Sequence, residues 1–135
     1  MFLEAHAAVS DVIRRELEAV AGIGVQEFEV LLRLARTPGE HLRMTDLAEQ
    51  VGLTTSGTTR LVDRVEAMGL AAREACPTDR RSFEVVLKPK GRKLLDKVLP
   101  VHLDSIERHV AQPLGGDLTA LEAQMRALRD AARRR

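Results

Sequence analysis

Apolar residues recur at spacings of three, four and seven along most of the chain, which is the period of amphipathic helices. One such stripe runs through residues 2–20 and ends before Gly22, and a second runs through residues 26–36 and ends at residues 37–39. These patterns predict two helices, and residues 41–44 fit either a loop or a minor strand. The first stripe consists of Phe2, Val9, Ile13, Leu17 and Val20.

Two short helices joined by a tight turn are predicted next. Thr45 is a favourable N-cap for the first of them, which Gly52 ends, and Thr54 is a favourable N-cap for the second, which runs to Gly69. Only Leu53 separates the two elements. So short a connection after a glycine is typical of a helix-turn-helix.

A β-hairpin is predicted after this pair. Residues 71–75 and 83–87 fit two strands, and turn-forming residues at 77–79 place Arg80 and Arg81 at an exposed tip. The second strand alternates apolar and polar residues, which predicts one buried and one exposed face. Its inward positions are Phe83 and Val85.

Two helices are predicted to complete the chain. Pro89 is suited to the first position of a long helix that extends towards Val110, and Pro100 should kink that helix because it lacks an N–H donor. Residues 113–116 break the chain before a last helix. The apolar seam of that last segment consists of Leu118, Leu121, Met125, Leu128 and Ala132.

Composition favours one soluble domain. The 135 residues are 44% hydrophobic and 30% charged, with a single cysteine and no apolar run near the ~18 residues of a membrane span. The start lacks the basic flank of a signal peptide, and one cysteine fits a reducing compartment, so we expect a cytoplasmic protein. Residues 43–93 hold ten basic and seven acidic residues, a balance of +3 that fits either a nucleic-acid surface or an ordinary solvated face.

The segment LRMTDLAEQVGLTTSGTTRLVDRVEAMGLAARE, followed by DRRSFEVVLKPKGRKLL, resembles the helix-turn-helix and wing of the MarR family of transcriptional regulators. The resemblance covers nearly the whole chain. It implies a mainly α fold with a small β wing, in one domain spanning residues 1–135. Residues 41–89 would form the winged helix-turn-helix, flanked by dimerisation helices in residues 1–40 and 90–135.

The resemblance also implies a function and the residues that perform it. The chain would be a regulator of the repressor type that binds palindromic operators in double-stranded DNA as a homodimer, under the control of a small aromatic or lipophilic ligand. Arg81 would enter the minor groove, Asp79 would orient the loop by pairing with an arginine, and Arg80 would face phosphate or only solvent. The other expected DNA-binding residues are Thr54, Thr55, Ser56, Gly57, Thr58, Thr59, Arg60, Arg64 and Lys88.

Several of these assignments have alternatives. Thr54 also serves as a helix cap, and Arg64 could instead pair with Asp63 or Glu66. Lys88 replaces the threonine that usually caps the long helix in this family, which should weaken the helix start by about 1 kcal/mol and could add a phosphate contact. Core packing explains each proposed lining residue of the ligand pocket equally well. Those residues are His6, Phe28, Leu32 and Leu95.

The dimer interface is expected to include Phe2, Val9, Ile13, Leu118, Leu121, Met125 and Leu128.

Other chemistry has weaker support. His102 and His109 are seven residues apart, about 10 Å along a helix, which is too far to grip one metal ion unaided. Cys76 is either an inert small residue or a redox sensor. No catalytic motif is present, so we expect neither an enzyme nor a metal or cofactor; a winged helix that serves only as a protein-interaction adaptor is the alternative function.

Overall fold

The computed structural model describes residues 1–134, which form six α-helices and three β-strands. Short 3₁₀ turns lie at Pro38–Glu40 and Gln112–Leu114, and a π-helical turn at Glu107–Ala111. None of the described helices combines the length and apolar character needed to cross a bilayer. In chain order, the elements are α1 (Phe2–Ala21), α2 (Val25–Arg36), β1 (His41–Arg43), α3 (Met44–Val51), α4 (Thr55–Ala67), β2 (Ala71–Cys76), β3 (Asp79–Leu87), α5 (Pro89–Ile106) and α6 (Thr119–Arg133).

Helices α3 and α4 form the expected helix-turn-helix. Gly52 ends α3 with φ 71°, a left-handed conformation that glycine adopts without steric cost. Thr54 caps α4, as predicted, because its hydroxyl accepts a hydrogen bond from the Gly57 amide at 3.1 Å. The prediction that Thr45 caps α3 is wrong: that helix begins one residue earlier, at Met44, since strand β1 runs directly into it with Arg43 in the N-cap position.

The wing belongs to a sheet of three antiparallel strands in the order β1-β3-β2, rather than to an isolated hairpin. Strand β1 pairs with β3 on the edge opposite β2, where His41 lies across from Val86. The turn contains only Pro77 and Thr78, with a register irregularity just before it. Arg80 and Arg81 therefore lie in the first part of β3, beside the tip and not on it.

Phe83 departs from the predicted burial of β3. Val85 is fully buried, whereas Phe83 is 52% exposed two residues nearer the tip. Both side chains belong to one face, since alternate residues of a strand share a face. The prediction for Phe83 fails because the hairpin extends past the helices at that point, as the exposure of its cross-strand neighbour Ala75 also shows.

One hydrophobic core joins the helix-turn-helix to the flanking helices. Helix α2 supplies four of its buried residues and α1 only Leu17, with Ile13 and Val20 packed partly against it. Burying such side chains contributes roughly 1.5–3 kcal/mol each. The largest fully buried side chains are Phe28, Leu31, Leu34, Leu47, Leu61, Leu70 and Leu95, with Val30, Val62, Val65, Val85 and Val98.

The C-terminal helices differ from their predicted limits. Helix α5 begins at Pro89 as expected and includes Pro100, but its α-helical part ends at Ile106 rather than near Val110. Leu118 precedes α6 instead of lying within it. No described residue of α6 is buried, so this amphipathic helix has no partner for its apolar face within the described chain.

Candidate nucleic-acid interface

The first turns of α4 present short hydroxyl side chains to solvent. Thr54, Thr55, Ser56 and Thr59 are all exposed. Thr54 is committed to capping the helix, and the Thr59 hydroxyl donates to the Thr55 carbonyl at 2.9 Å. Unpaired backbone amides at a helix start favour anions, so this end of α4 suits phosphate.

Thr58 does not belong to this exposed group. Its side chain is fully buried, and its hydroxyl donates to the Thr54 carbonyl at 2.9 Å. The expectation that Thr58 contacts DNA is therefore wrong, because the 3.6-residue period turns this position towards the core. At Gly57 an added Cβ would lie 3.2 Å from the Thr54 hydroxyl, so the glycine leaves room for the capping side chain.

The two arginines of α4 have different surroundings. Arg60 is exposed and forms no salt bridge within residues 1–134. Arg64 instead donates to Glu27 at 2.9 Å and to Gln26 at 3.2 Å, both on α2. The predicted alternative partners of Arg64, Asp63 and Glu66, lie on another face of the helix. Arg64 thus links α4 to α2, and its assignment to DNA binding stays a prediction.

Asp63 and Glu66 bind Arg73, a residue of β2 that sequence analysis did not single out. The Arg73 backbone amide donates to Glu66 at 2.7 Å and its guanidinium to the same carboxylate at 3.0 Å. The guanidinium also donates to the Thr59 carbonyl at 3.1 Å and forms a salt bridge with Asp63. The only signal in the sequence is that Arg73 follows closely after α4, the second helix of the helix-turn-helix (the recognition helix). Two carboxylates of that helix, Asp63 and Glu66, are three residues apart and so share one face.

Asp79 orders the start of β3, although by contacts other than those expected. Its carboxylate accepts from the Arg81 backbone amide at 2.9 Å and from the Ser82 hydroxyl at 3.0 Å. These hydrogen bonds lower the pKa of Asp79, and the one from the Arg81 amide is the largest cause. The expected side-chain pair with an arginine is absent from the described contacts, because the carboxylate folds back over its own turn.

The arginines of the wing remain available. Arg80 and Arg81 are exposed and form no salt bridge in the described part of the chain. Arg43, which sequence analysis did not select, donates to Thr78 at 3.3 Å. A cleft of about 250 Å³ lies between the wing and the start of α3, lined by Arg43, Met44, Thr45, Arg81, Ser82 and Phe83.

Two further predicted positions lie at the base of the wing. Lys88 makes no side-chain cap for α5, as expected, but its ammonium group donates to Glu74 at 2.7 Å. Cys76 is buried, and a hydrogen bond with Thr78 is the main cause that lowers the pKa of its thiol. Burial separates this thiol from solvent, while the lowered pKa favours thiolate, so both interpretations of Cys76 stay open.

The four residues expected to line a ligand pocket do not meet around one cavity. Phe28 and Leu95 are buried in the core, Leu32 packs partly against it, and His6 lies on the surface of α1. His102 of α5 was not selected for this pocket, yet its ring centroid lies 4.7 Å from that of Phe28.

His102 is half-buried in a polar environment. Burial lowers its pKa, an effect that Glu29 and Glu16 oppose. Among residues 1–134, its Nδ1 atom has no hydrogen-bond partner, and neither does the buried hydroxyl of Ser105 one turn later. No three metal-binding side chains among residues 1–134 are grouped so that they could hold an ion.

Four of the seven predicted dimer residues, Phe2, Val9, Leu121 and Met125, line an apolar groove of about 450 Å³. It lies between the first half of α1 and the segments that follow α5. Of the other three expected interface residues, Ile13 packs partly against the core, and Leu118 and the exposed Leu128 do not line the groove. The lining residues are Phe2, Ala5, His6, Val9, Ser10, His109, Val110, Pro113, Leu114, Leu121 and Met125.

The helix-turn-helix, the adjoining three-stranded sheet and the projecting hairpin define a winged helix-turn-helix protein. Residues 21–82 match the model described as "MarR family". The structure superposes with a TM-score of 0.92 on Sco3205, a MarR family transcriptional regulator from Streptomyces coelicolor solved in complex with DNA. That relative is 30% identical, and the match covers 98% of this chain and 83% of Sco3205. The chain belongs to the MarR family of transcriptional regulators.

Two other relatives agree with this membership. AbsC, a MarR family transcriptional regulator from Streptomyces coelicolor, is 29% identical with a TM-score of 0.92, covering 99% of this chain and 90% of AbsC. YkoM, an uncharacterized HTH-type transcriptional regulator from Bacillus subtilis, is 33% identical over 87 residues, which are 64% of this chain and 55% of YkoM. The match thus spans little more than half of this curated relative. Membership of a family of regulators confirms the prediction that the chain is not an enzyme.

Proposed function

We propose that the chain is a sequence-specific regulator that binds double-stranded DNA and represses transcription. The observation that carries the proposal is three exposed arginines on one winged helix-turn-helix that form no salt bridge within residues 1–134: Arg60 on α4, and Arg80 and Arg81 on β3. Most other arginines of this region are held by carboxylates, as Arg64 and Arg73 are. Exposed arginines beside hydroxyl side chains suit phosphate and base edges. The DNA complex of Sco3205 supports the same assignment.

In this proposal the two exposed regions have separate tasks. Helix α4 enters the major groove, where Arg60 reads base edges and the amides at the helix start bind phosphate. The wing lies over the minor groove, where the negative potential attracts Arg81, while Arg80 faces the backbone. Asp79 contributes indirectly, because its bonds to Arg81 and Ser82 fix the backbone that carries the arginine.

The functional unit in this proposal is a homodimer. The apolar groove along α1 and the unburied face of α6 together leave large hydrophobic side chains exposed, among them Phe2, Leu114, Met125 and Leu128. A patch of this kind on a soluble protein marks an association surface. Two-fold pairing would place two α4 helices in successive major grooves about 34–36 Å apart, so the operator should be an inverted repeat.

A small aromatic or lipophilic effector completes the proposal. The support is the contact between Phe28 and His102, together with the buried Nδ1 atom of His102 and the buried hydroxyl of Ser105, neither of which has a hydrogen-bond partner in the described part of the chain. Unsatisfied buried polar atoms next to an aromatic ring can be satisfied by a ligand that stacks and accepts or donates a hydrogen bond.

The test is to select duplexes from a random pool and to measure affinities for the recovered operator and a scrambled duplex. Arg81→Ala should weaken operator binding by about 1–3 kcal/mol without lowering thermal stability, because the side chain is exposed. Arg60→Ala should reduce discrimination between the two duplexes. Arg80→Ala should weaken both alike and reduce the salt dependence.

Three results would contradict the proposal. Recovery of no enriched sequence would remove sequence-specific binding and favour the adaptor function. Equal affinities of Arg81→Ala and the parent at matched salt would show that the wing does not read a groove. Equal losses on both duplexes for Arg60→Ala would place that side chain on phosphate.

A further inference from the structure

Arg73 binds one face of α4, the recognition helix, over about half of its length. Its partners on α4 are the Thr59 carbonyl and the carboxylates of Asp63 and Glu66. These positions are spaced i, i+4 and i+7, so they form one stripe that covers about 10 Å of the helix axis. The guanidinium and the backbone amide of Arg73 therefore bind β2 to α4 at several points.

The part of the wing beyond Arg73 has few other attachments to α4. The connection from α4 to β2 is residues 68–70, at the end of the wing farthest from its tip. Past Arg73, Glu74 and Ala75 are exposed, and so is Phe83 on the partner strand. The wing is attached instead to β1, just before α3: β1 pairs with β3 as far as Arg43 and Glu84, one residue pair beyond Arg73, and Arg43 also donates to Thr78 in the turn. Arg73 is thus the outermost residue of β2 whose side chain is bonded to α4 in the described chain.

We infer that Arg73 is a positioning residue for DNA binding, which sets the angle between wing and recognition helix so that both can enter their grooves at once. This inference rests on the proposed function. The Arg73 side chain is 23% exposed and both terminal nitrogens of its guanidinium donate to protein groups, so we do not expect it to act by touching DNA. Without it, α4 can bind while the wing adopts other angles, and Arg81 no longer meets the minor groove.

A charge effect is the competing explanation for any loss of binding. Arg73 neutralises Asp63 and Glu66, which lie on the helix that would face phosphates. Removing a neutralising charge would weaken binding but would leave the contribution of Arg81 unchanged. Positioning predicts something different, namely that the contribution of Arg81 depends on Arg73 although the two side chains are not bonded to each other.

A double-mutant cycle separates the two explanations. Operator affinities are measured at one salt concentration for the parent, Arg73→Gln, Arg81→Ala and the double variant. We expect Arg81→Ala to weaken the parent by roughly 10-fold or more, and the Arg73→Gln protein by less than about threefold. If Arg81→Ala weakens operator binding by the same factor in the parent and in Arg73→Gln, the inference is overturned.

Two further variants act as controls. Arg73→Lys keeps the charge but not the planar fork, so positioning predicts reduced coupling to Arg81, while a charge effect predicts parental behaviour. It also serves if Arg73→Gln does not fold. Arg92→Gln removes another ion pair between elements, from α5 to Glu40, and should leave the Arg81→Ala factor unchanged. If Arg92→Gln lowers that factor as much as Arg73→Gln does, general loosening of the fold is responsible and the inference fails.

A measurement without DNA tests the same geometry independently of the proposed function. A nitroxide is attached at the exposed turn through Pro77→Cys in a Cys76→Ser background. We expect a sharper, more mobile spectrum when Arg73→Gln is added and no change when Arg92→Gln is added. An unchanged spectrum with Arg73→Gln would overturn the inference. Failure of the parent to bind any duplex would overturn the proposed function alone.

Discussion

Gly91 lies where the start of α5 passes against the chain between α4 and β2. A Cβ added at this position would lie 2.9 Å from the carbonyl carbon of Leu70 and 2.9 Å from Cδ1 of Leu87, and closer still to the Leu70 oxygen. That oxygen already accepts a hydrogen bond from the Lys88 amide at 3.0 Å. Replacing glycine by alanine inside a helix ordinarily stabilises it by about 1 kcal/mol. At Gly91 we expect the opposite sign.

The expected size follows from the groups that must move. Leu70 and Leu87 are both buried, so the backbone of α5 has to shift away from a packed core rather than displace a flexible side chain. Overpacking of this kind costs about 1–3 kcal/mol, and a strained Lys88–Leu70 hydrogen bond about 1 kcal/mol more. After subtraction of the helix-propensity gain, Gly91→Ala should lower the free energy of unfolding by about 1–3 kcal/mol.

Urea unfolding at a fixed protein concentration measures this change, with circular dichroism as the signal. Gly57→Ala is the matched control, because Gly57 also lies in a helix. There the added Cβ would meet only side chains, the Thr54 hydroxyl at 3.2 Å and the Leu53 Cβ at 3.7 Å. We expect Gly57→Ala to change the free energy of unfolding by less than about 1 kcal/mol, because the gain in helix propensity is offset by a small shift of the Thr54 cap.

Equal or greater stability of Gly91→Ala compared with the parent would refute the reasoning. It would mean that the close approach of α5 to Leu70 relaxes without cost. Destabilisation of the same size in both variants would also refute it, because the argument depends on the difference between backbone and side-chain neighbours.

Two other properties can be predicted in the same way. Because burial lowers the pKa of His102 below its ordinary 6.5, the unfolded chain binds this proton more readily. Stability should therefore fall as the pH drops through about 6.5, and His102→Gln should reduce that dependence in urea unfolding at several pH values. Replacing Leu121 and Met125 together by Glu should place charge in the apolar groove and yield monomers that have lost tight operator binding. A parent protein that is monomeric in sedimentation and still binds an inverted repeat tightly would contradict this requirement for a dimer.

Local rules determined most of the secondary structure of this protein. The helix limits at Gly22, Gly52 and Pro89 follow from residues that end or begin helices wherever they occur. The cap of α4 by Thr54 depends on an amide only three residues away. Such features need no knowledge of the rest of the chain, because the interacting groups are neighbours in sequence.

The tertiary structure decided how individual side chains are used. Thr58 lies in a row of hydroxyl residues, yet packing of α4 turns it into the core. Arg64 reaches Glu27, 37 residues earlier in the chain, and thereby leaves Asp63 and Glu66 to Arg73. By charge alone, each arginine could pair with many carboxylates of the chain. Only the packing of α2, α4 and β2 brings particular pairs within hydrogen-bond distance. The sequence therefore determined which helices and strands form, while their packing determined which charges remain free to meet DNA.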